Sequence, residues 1–182
     1  MQVPSPLPGH AGADTPIAFL DRDGVINRGK SGYVNGAEEV ILLPGAAESI
    51  GMLNEEGYLV CVVTNQSPIA RGLWPPANLG SIHKELQRQL KEAHPRAEIH
   101  AFLTCPHRFE DACNCRKPSP SMLLLGHNVL RLGAFIQTGW EPVNHAVVDP
   151  RVNWWGPKPS SPHPLDLMVG DRRSDMGAGW SF

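Results

Sequence analysis

Two carboxylates close an apolar run near the start of this sequence. Ile17-Ala-Phe-Leu20 has the composition of a buried strand, and Asp21, Arg22, Asp23 and Gly24 follow at once. Open α/β sheets bind ligands at the carboxyl ends of their strands. Residues two apart on extended backbone point the same way. Asp21 and Asp23 are therefore expected to face one site, with Arg22 pointing elsewhere. A carboxylate there can serve as a nucleophile, a proton carrier or a ligand for a hard cation. Other strand-like runs deliver polar groups in the same way: Thr64-Asn65-Gln66-Ser67 follows Tyr58–Val63, and Asp171 follows Leu165–Val169. Thr64 offers a neutral hydroxyl that can donate to a phosphoryl group. Arg116 and Lys117 add a forked and a compact cation, suited to a second anionic group and to crowded oxygens respectively. No serine–histidine or cysteine–histidine pair competes with these groups. Three of the four cysteines, Cys105, Cys113 and Cys115, gather near His107. That grouping points to metal chemistry in a reducing compartment more than to a disulfide framework.

The elements that must position these groups can be read from periodicity. Pro44-Gly45 opens a helix with Ala46, Ile50 and Leu53 on one face, stopped at Gly57. The Tyr58–Val63 strand follows, which makes a βαβ unit with the first strand. Leu79, Ile82, Leu86 and Leu90 form the apolar face of a second helix, with Glu85, Arg88, Lys91 and Glu92 on its solvated side. Ile99–Leu103 reads as a third strand. Pro118 and Pro120 start a helix lined by Met122, Leu125, Val129 and Leu132. Asp171 and Asp175 share a face if a helix begins there. Residues 1–16 read as a loose, disordered tail and 17–182 as one domain. Residues 134–164, rich in proline and carrying Trp140, Trp154 and Trp155, read as an insertion without catalytic role. Only His145–Val148 in that segment hints at a strand.

Asp21-Arg22-Asp23-Gly24-Val25-Ile26-Asn27, Thr64–Ser67, Arg116-Lys117-Pro118 and Gly170–Asp175 resemble, in order, the motifs of the haloacid-dehalogenase-like phosphatases. The nearest likeness is to the D,D-heptose 1,7-bisphosphate phosphatase and histidinol-phosphatase branch. That resemblance implies an α/β, Rossmann-like three-layer parallel sheet with a minimal cap. It implies a sheet whose last strand is missing here, because the family continues beyond the fourth core strand, so the strand at 165–169 becomes an edge. It assigns Asp21 as nucleophile, Asp23 as general acid and base, and Thr64 and Lys117 as catalytic partners. It places catalytic Mg²⁺ on Asp21, the backbone carbonyl of Asp23, and Asp171, with Asp175 in support. Lys30, Gly32, Tyr33, Asn65, Gln66, Ser67, Arg116 and Arg172 are the implied substrate-binding residues. Cys105, His107, Cys113 and Cys115 match the branch's zinc ligands within a 105–115 loop. Four protein ligands leave no open position, so such a zinc would be structural.

The implied activity is phosphomonoester hydrolysis on a small sugar bisphosphate, with heptose 1,7-bisphosphate ahead of histidinol phosphate. A non-catalytic zinc-bearing relative is the reading from another class. The 182 residues carry a formal charge of −2 and a pI near 6.4. This argues against a nucleic acid or a membrane surface as the main partner. A monomeric cytoplasmic enzyme is expected.

Overall fold

The structure, a computed structural model, describes residues 1–9, 11–133, 138–144, 157, 160, 161 and 163–182. Its centre is a four-stranded parallel sheet in the order β3-β2-β1-β4. In chain order the elements are β1 (Ile17–Leu20), α1 (Ala46–Glu55), β2 (Leu59–Asn65), α2 (Asn78–Ala93), β3 (Ala101–Cys105), α3 (Ser121–Leu132), β4 (Leu167–Val169) and α4 (Arg173–Ser181).

The two-residue repeat of the strands sorts the core into two layers. Ala18, Leu20, Val60, Val62 and Phe102 pack against Ile50 of α1 and Ile82, Leu86 and Leu90 of α2. Ile17, Phe19, Leu59, Cys61, Val63 and Leu103 pack on the other side against Met122, Leu123, Val129 and Leu130 of α3 and Ala178 of α4. Buried on both faces, β1 and β2 read as unbroken apolar runs, as parallel strands do. Each such side chain removed from water contributes about 1.5–3 kcal/mol. This central pair is the rigid base on which the strand-end residues stand.

β4 pairs with β1 through Ala18↔Leu167, Phe19↔Met168 and Leu20↔Val169. It lies at the sheet edge with Leu167 and Val169 exposed. The register still matters for chemistry, because the Asp21 amide donates to the Val169 carbonyl at 2.9 Å. That bond ties the first carboxylate to the end of the strand that delivers Asp171.

One expectation is corrected. The described part of residues 1–16 is not a loose tail at its start. Gln2 exchanges both backbone hydrogen bonds with Phe102 at 2.9 Å, and Gln2 and Val3 are buried. The described part of 134–164 explains why: Gly139 donates to the Val3 carbonyl, and Met1 and Val143 exchange bonds of 2.8 and 2.9 Å. Trp140 packs onto the core through Phe102. Each of the two segments satisfies the other's backbone, a pairing that neither shows in its own periodicity. His145–Val148, Trp154 and Trp155 lie outside the described residues.

Candidate active site

The carboxyl ends of β1, β2 and β4 converge on a cavity of about 320 Å³. Asp21, Asp23, Lys30, Gly32, Tyr33, Thr64, Asn65, Ser67, Arg116, Lys117, Asp171 and Arg172 line it, from segments far apart in sequence. Its volume is at the small end of the range for small-molecule sites.

Lys117 is the centre of the charge arrangement. Its side chain is 1% exposed, with Nζ 3.0 Å from Asp21 Oδ1, 2.6 Å from Asp175 Oδ1 and 2.6 Å from the Val63 carbonyl. Asn65 holds the lysine's backbone at both ends, accepting from the Lys117 amide at 3.1 Å and donating to its carbonyl at 3.2 Å. Asp175 is fully buried; its Oδ2 accepts the Arg172 amide at 2.9 Å and caps α4. One carboxylate thus starts a helix and anchors the buried cation.

Asp21 Oδ1 also accepts the Arg22 amide at 2.8 Å. Burial pushes the Asp21 carboxyl above its ordinary range; Lys117 offsets this in part, and the Asp175 carboxylate adds a further upward push. Asp21, Asp171 and Asp175 each offer an oxygen within 4.8 Å of the others. Three carboxylates stand against the Lys117 ammonium, with the Arg172 guanidinium 3.8 Å from Asp171 at the exposed side, and offer hard oxygen donors throughout. That donor set fits a divalent cation of the magnesium class. Gly24, with φ of +88°, sits where a Cβ would collide with the Asp171 carboxylate. Its bare backbone leaves Asp171 room beside Asp21.

Asp23 differs from Asp21. Burial raises its carboxyl, but the charge and hydrogen bonds of Arg22, with donors from Asn27 and Gln66, outweigh burial and hold it below its ordinary range. As expected, Asp21 and Asp23 line the cavity and Arg22 does not, though Arg22 points into the protein and not to solvent. The chain leaves extended geometry after Leu20 and turns, with Gly24 N bonded to the Asn27 carbonyl. The turn lets the fully buried Arg22, on the side away from the cavity, reach back to the Asp23 carboxylate at 2.8 Å.

Gln66 is likewise placed differently. It is 1% exposed, does not line the cavity, and donates to Asp23 Oδ2 at 2.8 Å and Thr64 Oγ1 at 2.9 Å. Its side chain steadies the site's own residues, where the resemblance implied contact with substrate. Thr64 lines the cavity and is 1% exposed. Tyr33 and Ser67 meet through their hydroxyls at 3.3 Å across the cavity wall. Lys30 pairs with Glu39 at 2.7 Å, and Arg116 donates to the His107 carbonyl at 2.9 Å. Sequence reasoning missed Phe109, an aromatic 79% exposed on the cavity rim. An apolar residue between the paired cysteines was its only signal.

Behind Arg116 lies the thiol cluster. Cys105, His107, Cys113 and Cys115 bring four ligand atoms within 4.8 Å of one another, with sulfur–sulfur separations of 3.1 to 3.5 Å and no disulfide. Hydrogen bonds from Cys105, His107 and Cys113 overcome burial and lower the Cys115 thiol to about 5. The three thiols and one imidazole make a donor set that fits a tetrahedral soft-ligand metal.

No family model matches the chain. The D-glycero-beta-D-manno-heptose-1,7-bisphosphate 7-phosphatase of Pseudomonas putida is 41% identical over 107 residues, covering 59% of this chain and 60% of the relative. The D-glycero-alpha-D-manno-heptose-1,7-bisphosphate 7-phosphatase of Mycobacterium tuberculosis is 35% identical over 159 residues, 87% of this chain and 68% of the relative. The chain belongs to the haloacid-dehalogenase-like superfamily, in its D,D-heptose 1,7-bisphosphate phosphatase branch. Among solved members of this branch, the D,D-heptose 1,7-bisphosphate phosphatase of B. bronchiseptica, complexed with magnesium and phosphate, superposes with a TM-score of 0.55 at 40% identity. That superposition covers 59% of each chain. The α/β parallel sheet with flanking helices is the fold of this superfamily. The chain spans about three fifths of the length of the branch members it matches first. Among the described residues no helix is long and apolar enough to cross a membrane.

Proposed function

We propose that the chain is a Mg²⁺-dependent phosphomonoester hydrolase acting on a small sugar bisphosphate, D-glycero-D-manno-heptose 1,7-bisphosphate, through an aspartyl-phosphate on Asp21. One observation carries this reading: Asp21, held by Lys117 at the cavity wall, shares with Asp171 and Asp175 a cluster of oxygens that suits a divalent cation. The named activity of the branch members supports the choice of substrate.

Oδ1 of Asp21 is engaged by Lys117 and the Arg22 amide, which leaves Oδ2 to attack phosphorus. A new P–O bond forms on Asp21 as the bond to the sugar oxygen breaks, and Lys117 and Thr64 face the oxygens on which charge gathers. Asp23 gives a proton to the departing alkoxide, then takes one from the water that hydrolyses the acyl phosphate. An approaching phosphate favours the protonated Asp23 of the first step, and its four N–H donors favour the carboxylate of the second. Asp21, Asp171 and the Asp23 backbone carbonyl would hold Mg²⁺, with Asp175 in support, and the ion would supply neutralisation of the transferring oxygens. Lys30, Arg116 and Arg172, with Gly32, Tyr33, Asn65 and Ser67, form the wall that takes the rest of the substrate.

The test is phosphate release from a panel holding heptose 1,7-bisphosphate, histidinol phosphate and other phosphoesters, with and without Mg²⁺. Release should depend on Mg²⁺ and be fastest from the heptose. Faster release from histidinol phosphate would move the substrate assignment, and no release from any ester would leave a non-catalytic relative. Asp23→Asn should lower the rate about 10²–10⁴-fold, the usual contribution of positioned proton transfer. A loss below tenfold in steady-state assays would remove Asp23 from that role.

We also assign a structural Zn²⁺ to Cys105, His107, Cys113 and Cys115. The observed sulfur separations resemble the edges, roughly 3.7 Å, of a tetrahedron with ~2.3 Å bonds. Arg116 follows Cys115 directly, so the cluster would aim the cationic wall of the cavity. Zinc should co-purify at about one per chain, resist mild chelation and release protons on binding. Cys113→Ser should loosen the 105–117 loop and weaken turnover indirectly. Zinc near zero in active, reduced protein, measured by elemental analysis, would refute the site. A Cys/His metal cluster also supports a reducing cytoplasm, and the monomer assignment is checked by elution volume.

A further inference from the structure

Asp23 is held by more than its neighbours in the loop. Arg22 spans its carboxylate, Nε donating to Oδ1 at 3.2 Å and Nη2 to Oδ2 at 2.8 Å. A fully buried guanidinium costs several kcal/mol of desolvation unless every donor finds a partner. The third corner of Arg22 finds one in His83 of α2, where Nη1 lies 3.3 Å from Nε2. His83 is itself fully buried and stacks on Phe102, with ring centroids 4.3 Å apart and planes at 12°. Its Nδ1 lies 2.6 Å from Gln2 Oε1, and Gln2 Nε2 donates to the Trp140 carbonyl at 2.6 Å. Gly80, one turn before His83, admits that carbonyl: a Cβ there would meet it at 2.9 Å.

Only one set of proton positions satisfies the whole chain. The Trp140 carbonyl must accept, so Gln2 presents its amide nitrogen there and its oxygen to His83. His83 therefore carries its proton on Nδ1 and offers the Nε2 lone pair to Arg22. Arg22 Nε and Nη2 each donate to Asp23. Burial, the Arg22 charge and the terminal ammonium all keep His83 neutral, the form this direction requires. The first residues of the chain thus connect, through α2, to the carboxylate given the proton-transfer role.

We propose that Gln2, His83 and Arg22 are positioning residues that fix the plane of the Asp23 carboxylate for proton delivery to the leaving group. The proposal rests on the phosphatase reading above. It explains why an arginine, and not a smaller residue, separates the two aspartates, and why the N-terminal segment pairs at the β3 edge.

The test compares leaving groups. An alkoxide needs the Asp23 proton, whereas p-nitrophenolate departs without it. His83→Phe keeps the stack on Phe102 and removes both ring nitrogens. Single-turnover release of product from heptose 1,7-bisphosphate should fall about 10- to 100-fold, the scale of a catalytic group misplaced by an ångström. Single-turnover release of p-nitrophenolate from p-nitrophenyl phosphate, which precedes the step where Asp23 acts as base, should fall less than about threefold on the same reasoning. His83→Gln, which restores an acceptor to Arg22, should recover most of the difference. The Arg22 Nε–H resonance gives a readout apart from activity: protected from exchange in the natural protein, exposed in His83→Phe. Equal losses on both esters, or no loss, would overturn the proposal. If His83→Phe does not fold, Gln2→Met decides by the same ratio. A natural protein that cleaves neither ester would overturn the phosphatase reading instead, and the relay then stands or falls on whether Arg22 Nε–H loses protection in the variant.

Discussion

Asp21→Asn is expected to lose phosphate release by at least about 10⁴-fold, as nucleophile removal does in covalent catalysis. The amide keeps the shape of the side chain and an oxygen for the Arg22 amide at Oδ1, but cannot attack phosphorus. The fold should persist. Burial already opposes the Asp21 charge and Asp175 opposes it further, so removing that charge takes away a repulsion as well as the Lys117 pair. The variant should melt at or above the natural protein's temperature, the pattern of a site that gives up stability for function. Zinc content should not change, because the thiol cluster lies behind Arg116 and shares no ligand with Asp21. Rate, melting temperature and zinc content measured on one preparation check all three expectations. Undiminished turnover by Asp21→Asn would end the covalent mechanism.

Lys117→Met should damage stability and activity together. Methionine fills the channel but leaves Asp21 and Asp175 facing each other without the ammonium between them. Removing one partner of a buried ionic cluster typically costs 3–5 kcal/mol. For a chain of this size that is a drop of about 10 °C in melting temperature. Turnover should fall about 10²–10³-fold or more, the scale of one lost donor to a developing oxyanion. Magnesium supplies a second diagnostic. Bound as proposed it would neutralise the same carboxylates, so it should raise the melting temperature of Lys117→Met by more than that of the natural protein. Calorimetry with and without Mg²⁺ reads this directly. Equal magnesium shifts in both proteins would show that the ion does not share the carboxylates with Lys117.

How these residues meet is partly legible in the order and type of the amino acids. The apolar Ile17–Leu20 and Leu59–Val63 runs fill both faces of a parallel sheet, so composition alone marks them as central strands. Groups at the ends of such strands meet because parallel strands deliver their carboxyl ends to one edge. Asp21, Thr64 and Asp171 can therefore be placed together from the sequence. The Cys-x-His and Cys-x-Cys pairs are legible for a similar reason, since metal-ligand spacing is local.

What the sequence could not determine lies in contacts between segments with no shared period. Strand alternation turns Arg22 away from the cavity, but only the turn at Gly24 shows that it is buried there and paired with Asp23. Gln66 had the look of a substrate residue until Asp23 and Thr64 took its amide. The pairing of residues 1–3 with 139–143 joins two stretches that lack hydrophobic repeats, so neither announces a partner. His83 is one polar residue on an apolar helix face, and its meaning depends on Gln2, eighty-one positions away. Local propensity and periodicity are properties of neighbours along the chain. The electrostatic balance at Lys117 and the hydrogen-bond direction from Gln2 to Asp23 are properties of neighbours in space, and only the tertiary structure decided them.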